Sequence, residues 1–498
     1  MTRGVALSIG FAGLLALLLW VSAQSFVAAT ARVTTYRYIA EALSPVATQE
    51  ANVNWQEPTT ELARPVTEGD QTLIGKAMTT SWQVLATAQS TARTDILSEA
   101  FSGVALERAQ LSVRDATEHG GRMAVLSQNA RPIFFHLDGS LFQAEVELIV
   151  ARYVTDADGL VHHSLTRDKG VVTLTNETTG WRVFAYERTD AVSMATPLAG
   201  WKAEALNGVN YYPATSPWRA FWEEFEVEET RRDLRRLRDL NANSIRIFIS
   251  RADFIGAEES AAALGKLASF LQIAETEGLR VVPTLFDMRG AYGPGMWAAD
   301  FAYLERVLPV LRASPAVSLI DLKNEPDLDF ETHGRGEVEA WLRTMSAAAR
   351  TIAPELAQTV GWSSADMAEV LSDALDVITY HDYASIEGAG ERLRAVQTVV
   401  PGKPVLVTEI GASSFGFALG FPGSPTVQAK QLAQRLSALS PADGVFIWTL
   451  YDFDAVDTAA VGASPWVKRL QAKFGLLAID GSEKPAANVV REAFAAGS

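Results

Sequence analysis

Between residues 206 and 450 the chain repeats one theme eight times: a short run of Leu, Ile, Val and Phe, then a longer stretch with helical spacing. The apolar runs fall at 206–211, 244–249, 280–286, 317–323, 359–361, 376–380, 405–408 and 445–450. Amphipathic patterns fill the gaps, for example over 226–240, 337–353 and 426–439. The first of these carries many Arg and Glu residues at i, i+4 spacing, as a solvated helix face does. Short apolar runs suit strands buried on both faces, which occur where helices cover a parallel sheet. Eight strand–helix units in series predict a closed (β/α)8 barrel over residues 200–498.

Two of these strands end in a carboxylate. Residues 319–327 read LIDLKNEPD, an apolar run closing on Asn324-Glu325-Pro326. Pro326 cannot extend the ladder and fixes its own φ, so Glu325 stands at a rigid strand end. Residues 404–411 read PVLVTEIG and close on Glu409, 84 positions after Glu325. A βα unit takes roughly thirty residues, so that interval is three steps around a barrel. Barrels of this kind keep their chemistry at the C-terminal strand ends, and two carboxylates at one mouth can divide acid and nucleophile work on a glycosidic bond.

Asn-Glu-Pro closing one strand and Thr-Glu-Ile-Gly closing a later one resemble the retaining β-glycosidases of glycoside hydrolase clan A. Family 5, with its cellulase and mannanase relatives, is the nearest likeness. The resemblance runs over about residues 206–496, and the closing FGLLAIDGSEKPA also fits it. It implies Glu325 as acid/base and Glu409 as nucleophile; a strand-end carboxylate in a salt bridge is the plain alternative for each. It implies that His381 lines the sugar site, that Tyr383 donates to the nucleophile, and that Trp448 is the platform under the reacting sugar.

Some of this also follows from residue chemistry. Asn324 can donate to the sugar hydroxyl beside the reacting carbon, or cap the loop as a turn-forming Asn. Arg246 sits mid-strand among apolar residues, and a charge inside a barrel needs a partner; Glu409 is the natural one. His381 and Tyr383 share a side by the period of two. Tyr211, Trp218, Trp297, Trp362 and Phe415 fall at or just after strand ends and together suggest an aromatic-lined cleft, with Tyr211, Trp297 and Trp362 taken as substrate-binding. Asp287, after the third strand, either binds substrate or caps the next element. The stretch 287–300 is Gly-rich and lacks the His that many relatives carry there.

The expected activity is cleavage of β-glycosidic bonds in a poly- or oligosaccharide by double displacement. Two alternatives stand beside it: a transglycosylase with the same residues, and a non-catalytic glycan-binding or assembly protein for exopolysaccharide. No metal or organic cofactor is expected. The chain has six His, with only His333 and His381 in the barrel half, so no ligand cluster can be assembled.

Upstream, Arg3 precedes an apolar run from Gly4 to Val21 and small residues at Val21-Ser22-Ala23. Residues 1–30 therefore read as a signal anchor or a signal peptide, the uncleaved anchor preferred because the apolar stretch exceeds the usual signal length. Either places the body outside the cytoplasm, at the periplasmic face of the inner membrane or free of it. Residues 31–70 read as a polar, Pro-containing linker. Over 71–195, helical spacing gives way to β-rich runs at 133–137, 142–154, 171–176 and 181–187 with turns at Asp138-Gly139 and 156–159. Helices followed by a meander imply an α+β domain, and the element order resembles the NTF2-like (cystatin-like) cone, which would bind a ligand, a protein partner or a second copy. His162 and His163, adjacent and hence on opposite faces, are expected as exposed loop residues, not metal ligands.

A net charge of −16 and a pI of about 5.0 argue against nucleic acid as a partner, because phosphate binding wants clustered Lys and Arg. No cysteine is present, so neither a disulfide framework nor a Cys nucleophile is possible.

Overall fold

The computed structural model describes residues 53–496 except 179, 195–196, 202–204, 255–256, 289 and 418–420. The expected N-terminal anchor and the first part of the linker lie outside the described residues. No helix among the described residues is long and apolar enough to cross a membrane. The chain forms two compact units, one of residues up to Val150 with Asp168–Ala191 and Gly293–Ala298, the other of Ala151–Arg167, Val192–Tyr292 and Ala299–Ser498.

Helix α1 (Glu68–Thr91) starts at a capping box. The Thr67 hydroxyl accepts from the Asp70 amide and the Asp70 carboxylate accepts from the Thr67 amide, which satisfies two amides the helix leaves open. Helix α2 (Gly103–His119) stops at Gly120, whose φ of 72° is left-handed. A five-stranded sheet follows in chain order: β1 (Asn54–Trp55), β2 (Gly121–Phe135), β3 (Leu141–Thr155), β4 (Leu160–Glu177) and β5 (Gly180–Ser193). One face of the sheet gives Ala130, Phe135, Phe142, Ala144, Val146, Val172 and Leu174 to a core shared with Ile74, Met78, Trp82 and Val113 of the helices.

The strands are longer than the sequence pattern predicts. Strand β2 begins at Gly121 because Gln128, which interrupts the apolar alternation, is buried and paired on both sides. It accepts from Trp82 Nε1 (3.2 Å) and donates to Thr79 Oγ1 (2.6 Å). His162 and His163 lie on β4, not in a loop. His163 meets Thr344 Oγ1 at 2.9 Å, and burial pushes its pKa down to about 4. Within the stretch read as a linker, Asn54–Trp55 pair with Asn129 and Ala130 of β2.

The second unit is built on the expected barrel. Its parallel strands are β6 (Leu206–Asn210), β7 (Ser244–Phe248), β8 (Arg280–Thr284), β9 (Ile320–Asn324), β10 (Gln358–Trp362), β11 (Ile378–His381) and β12 (Val405–Ile410). A small hairpin, β13 (Gly416–Phe417) with β14 (Phe421–Pro422), comes before the eighth barrel strand, β15 (Gly444–Trp448). Closure runs β6-β7-β8-β9-β10-β11-β12-β15 and back to β6. Leu206, Val282, Leu319, Ala357, Val377, Leu406 and Phe446 fill one end of the barrel. The other end, where the strands finish, is polar.

Candidate active site

Both carboxylate-bearing strands lose register just before the carboxylate. The three steps from Asp321 to Asn324 on β9 face two on β10, from Thr359 to Gly361. The two steps from Val407 to Glu409 on β12 face one on β11, from Tyr380 to His381. An extra residue bends a strand and re-aims the side chains after it. On β9 it brings Asn324 to the same side as Asp321.

Arg246 of β7 is the hub. Its guanidinium is fully buried and reaches four partners: Asp321 (Nη2, 2.7 Å), Glu409 Oε1 (Nη1, 2.7 Å), Asn324 Oδ1 (Nη2, 2.8 Å) and Asn210 Oδ1 (Nη1, 2.9 Å). Asp321 also accepts from Thr284 Oγ1 (2.9 Å) and from the Gly361 amide (2.9 Å). A side chain at Gly361 would lie 3.0 Å from both Arg246 Nη2 and Asp321 Oδ2, so β10 passes the ion pair closely enough to favour glycine there. With the Asn324 oxygen held by Arg246, its NH2 is the amide group left for a ligand.

Glu409 is held on both oxygens. Oε1 accepts from Arg246 and Oε2 from the Tyr383 hydroxyl at 3.0 Å, with His381 Nδ1 at 3.6 Å. Its side chain is 7% exposed. Although Tyr383 is 43% exposed overall, enclosure of its phenol and the adjacent Glu409 and Glu325 carboxylates push it above its ordinary range, and its hydroxyl donates to Glu409.

Glu325 differs. Its backbone is left-handed (φ 46°, ψ 50°), a conformation costing on the order of 1 kcal/mol outside glycine. Its amide holds the Gly361 carbonyl at 2.7 Å. Oε1 lies 2.7 Å from His381 Nδ1, and the side chain is 25% exposed. Burial pushes the Glu325 carboxyl up, but the His381 hydrogen bond and the charges of His381, Arg246 and Lys323 outweigh it and hold it below the ordinary range. His381 shows the converse: burial opposes its charge, and Glu409 and Glu325 together raise its pKa. The 2.7 Å contact thus joins a ring whose charged form is favoured to a carboxyl whose anion is favoured. One side-chain N or O atom from each of Glu325, His381 and Glu409 lies within 4.8 Å of the others, so a three-residue group of metal-ligating type does form, against the expectation from the histidine count.

The cavity above these groups encloses about 620 Å3. Trp448 closes one wall, its indole donating to Gln471 Oε1 at 3.2 Å and standing edge-on to Tyr212 and Phe248. Trp218 and Asp287 also line it, the latter accepting from the Tyr212 hydroxyl at 3.3 Å. Of the residues expected at the site, Glu325, Glu409, Asn324, Tyr383 and Trp448 line the cavity, while Arg246 and His381 bear on them from beneath.

Three aromatic expectations are corrected. Tyr211 is fully buried and points away, its hydroxyl on Asp233 at 2.9 Å; the alternation along the chain gives the cavity Tyr212 instead. Trp362 is fully buried against the edge of Phe330. Trp297 is fully buried at the start of helix Trp297–Arg312 and groups with the first unit, so it is core and not platform. Sequence reasoning also passed over Asn210, Asp321 and Lys323. A polar residue inside or ending an apolar strand was the available signal for each.

No protein-family model matches the chain, and no curated protein does. Solved structures do. One is a GH5_18 protein from Streptomyces cattleya in complex with Manb1-4GlcNAc, at 20% identity, over 59% of this chain and 80% of that one, TM-score 0.47. Another is the exo-beta-1,4-mannosidase Op5Man5 from Opitutaceae bacterium strain TAV5, at 22% identity, over 61% of this chain and 62% of that one, TM-score 0.48. A third is the beta-glucuronidase of Ruminococcus gnavus, at 17% identity, over 75% of this chain and 68% of that one, TM-score 0.45.

Proposed function

We propose that this protein is a retaining glycoside hydrolase that cleaves β-glycosidic bonds of a poly- or oligosaccharide. The observation that carries the reading is the Glu325–Glu409 gap, with oxygens of the two carboxylates within 4.8 Å. Retention uses carboxyl groups about 5–5.5 Å apart, whereas inversion needs about 6.5–9.5 Å to admit a water between them. In the first step Glu409 attacks the anomeric carbon while a proton shared by His381 and Glu325 passes through Glu325 to the departing oxygen. In the second, Glu325 takes a proton from water, whose oxygen displaces Glu409 and restores the carboxylate. The Asn324 NH2 donates to the hydroxyl beside the reacting carbon as charge builds there. Both Glu409 oxygens already face donors, which favours a carboxylate held for attack over one held for a cation.

A second depression of about 460 Å3 adjoins the cavity across Tyr383, Leu470 and Phe474, with Ser385, Ser413 and Gln431 in its wall. Its position supports a substrate longer than one sugar; the same depression would receive the acceptor in a transglycosylase. The anchor expected at residues 1–30 adds a place of work to the proposal, at the periplasmic face of the inner membrane on the cell's own polysaccharide, with the α+β domain as the surface for a partner or a second copy.

The test is product stereochemistry. The full-length protein is incubated with 4-nitrophenyl β-glycosides, β-glucans and β-mannans while proton NMR follows the anomeric signals. The expected first product is the β anomer. The α anomer first, or no sugar released from any of them, overturns the reading.

A further inference from the structure

At the β8–β9 side of the cavity two charged side chains have complementary deficits. Lys323 is 4% exposed yet lines the cavity. Its ammonium carries three donors, and its contacts are loose: the Asn324 carbonyl at 3.2 Å and Asp329 Oδ2 at 3.5 Å. A buried cation so weakly engaged is short of acceptors. Asp287 has the opposite shortage. Its carboxylate, with room for about four hydrogen bonds, accepts from the Met288 backbone amide and, at a long 3.3 Å, from the Tyr212 hydroxyl. Burial raises its pKa despite the nearby charges of Lys323 and Arg246.

We propose that Lys323 and Asp287 are the specificity-determining pair for the sugar held in this cavity, and that this sugar is neutral and carries adjacent free hydroxyls. One hydroxyl donates to Asp287 and its neighbour accepts from Lys323, which meets both deficits at once. A uronic acid fits badly. Its carboxylate would face one ammonium flanked by Asp287, Asp329 and Glu325, all of which line the same space. The inference rests on the proposed function for the cavity's being a glycan site, but not on hydrolysis taking place there.

Two measurements on the full-length protein test it. Saturation-transfer NMR reads binding of methyl β-glucoside, β-mannoside and β-galactoside against methyl β-glucuronide. Turnover is read on the corresponding 4-nitrophenyl glycosides. The expected result is preference for a neutral sugar, with Lys323→Gln and Asp287→Asn each weakening binding about 10- to 100-fold, the scale of one hydrogen bond to a charged group, mostly in KM. Monodeoxy sugars on the unaltered protein give the same answer without a substitution: removing one hydroxyl of the pair should cost a similar factor. For the hydroxyl that accepts from Lys323, that loss should shrink in the Lys323→Gln variant. Turnover with unchanged selectivity in Lys323→Gln, or preference for the glucuronide, overturns this inference and leaves the proposed function. Binding that depends on Lys323 without turnover of any glycoside overturns hydrolysis and leaves the inference. Binding of no glycoside overturns both.

Discussion

The ends of β9 and β12 present the same residue type in opposite ways. Glu409 leaves β12 with both oxygens gripped, by Arg246 and Tyr383, and is nearly sealed from solvent. Glu325 leaves β9 on a strained left-handed residue, hydrogen-bonded through one oxygen to a histidine and open to the cavity. Donors fixed around a carboxylate favour the anion and hold its attack angle. A carboxylate whose partner is an ionisable ring can gain and lose a proton without moving. The proposed division of labour thus rests on the neighbours and not on the glutamates.

The largest predicted effect breaks the β12 side. Glu409→Ala should lower turnover by on the order of 10⁵-fold, as loss of a nucleophile does. Glu325→Ala should lower it by about 10²–10⁴ on a glycan and far less on a 4-nitrophenyl glycoside, whose leaving group needs no proton. Added azide separates the two. In Glu409→Ala azide takes the nucleophile's place and yields the α-glycosyl azide. In Glu325→Ala it attacks the glycosyl-enzyme and yields the β-glycosyl azide. The same anomer from both variants would abolish the contrast drawn between the strand ends.

The next effect falls on stability. Arg246→Met strands Asp321 and Glu409 as buried anions, and breaking such a pair costs about 3–5 kcal/mol. Removing one of those anions as well should recover part of the loss, so Arg246→Met with Asp321→Leu should unfold at higher urea concentration than Arg246→Met alone. A double variant no better than the single would mean that the arginine acts by packing and not by charge.

The barrel was legible because buried parallel strands leave near-continuous apolar runs, and no other element in this chain does so eight times over. Glu325, Glu409, Asn324 and Trp448 were legible because they sit at the ends of those runs. Asp321 was not, although it lies within the same run: its meaning depends on Arg246, a strand pair away on the barrel wall, and on the β9 bulge that brings Asn324 beside it. Tyr211 and Tyr212 show how little separates core from site. One residue of alternation sends the first hydroxyl to Asp233 and the second to Asp287. In the first unit, inward-facing Gln128 hid half of β2, since a polar core residue satisfied by Trp82 and Thr79 looks in the sequence like the start of a loop.

The smallest predicted effect is a pH signature that sharpens the β9 side. His381 has a raised pKa in the fold, so its share of stability is complete below the ordinary histidine value near 6.5 and is lost as pH rises through the raised one. Glu325 has a lowered pKa, so its share is present above the ordinary value near 4.5 and is lost as pH falls through the lowered one. The two windows overlap between about pH 4.5 and 6.5. There His381→Asn should be less stable than the unaltered protein by about 1–3 kcal/mol, the scale of a hydrogen bond between charged groups. Urea unfolding at intervals from pH 4 to 9 should show the gap narrowing toward both ends. A gap constant across that range would mean the 2.7 Å contact joins uncharged partners. Glu325 would then carry its own proton without a charged ring beside it, and the β9 strand end would lose the feature that sets it apart from β12.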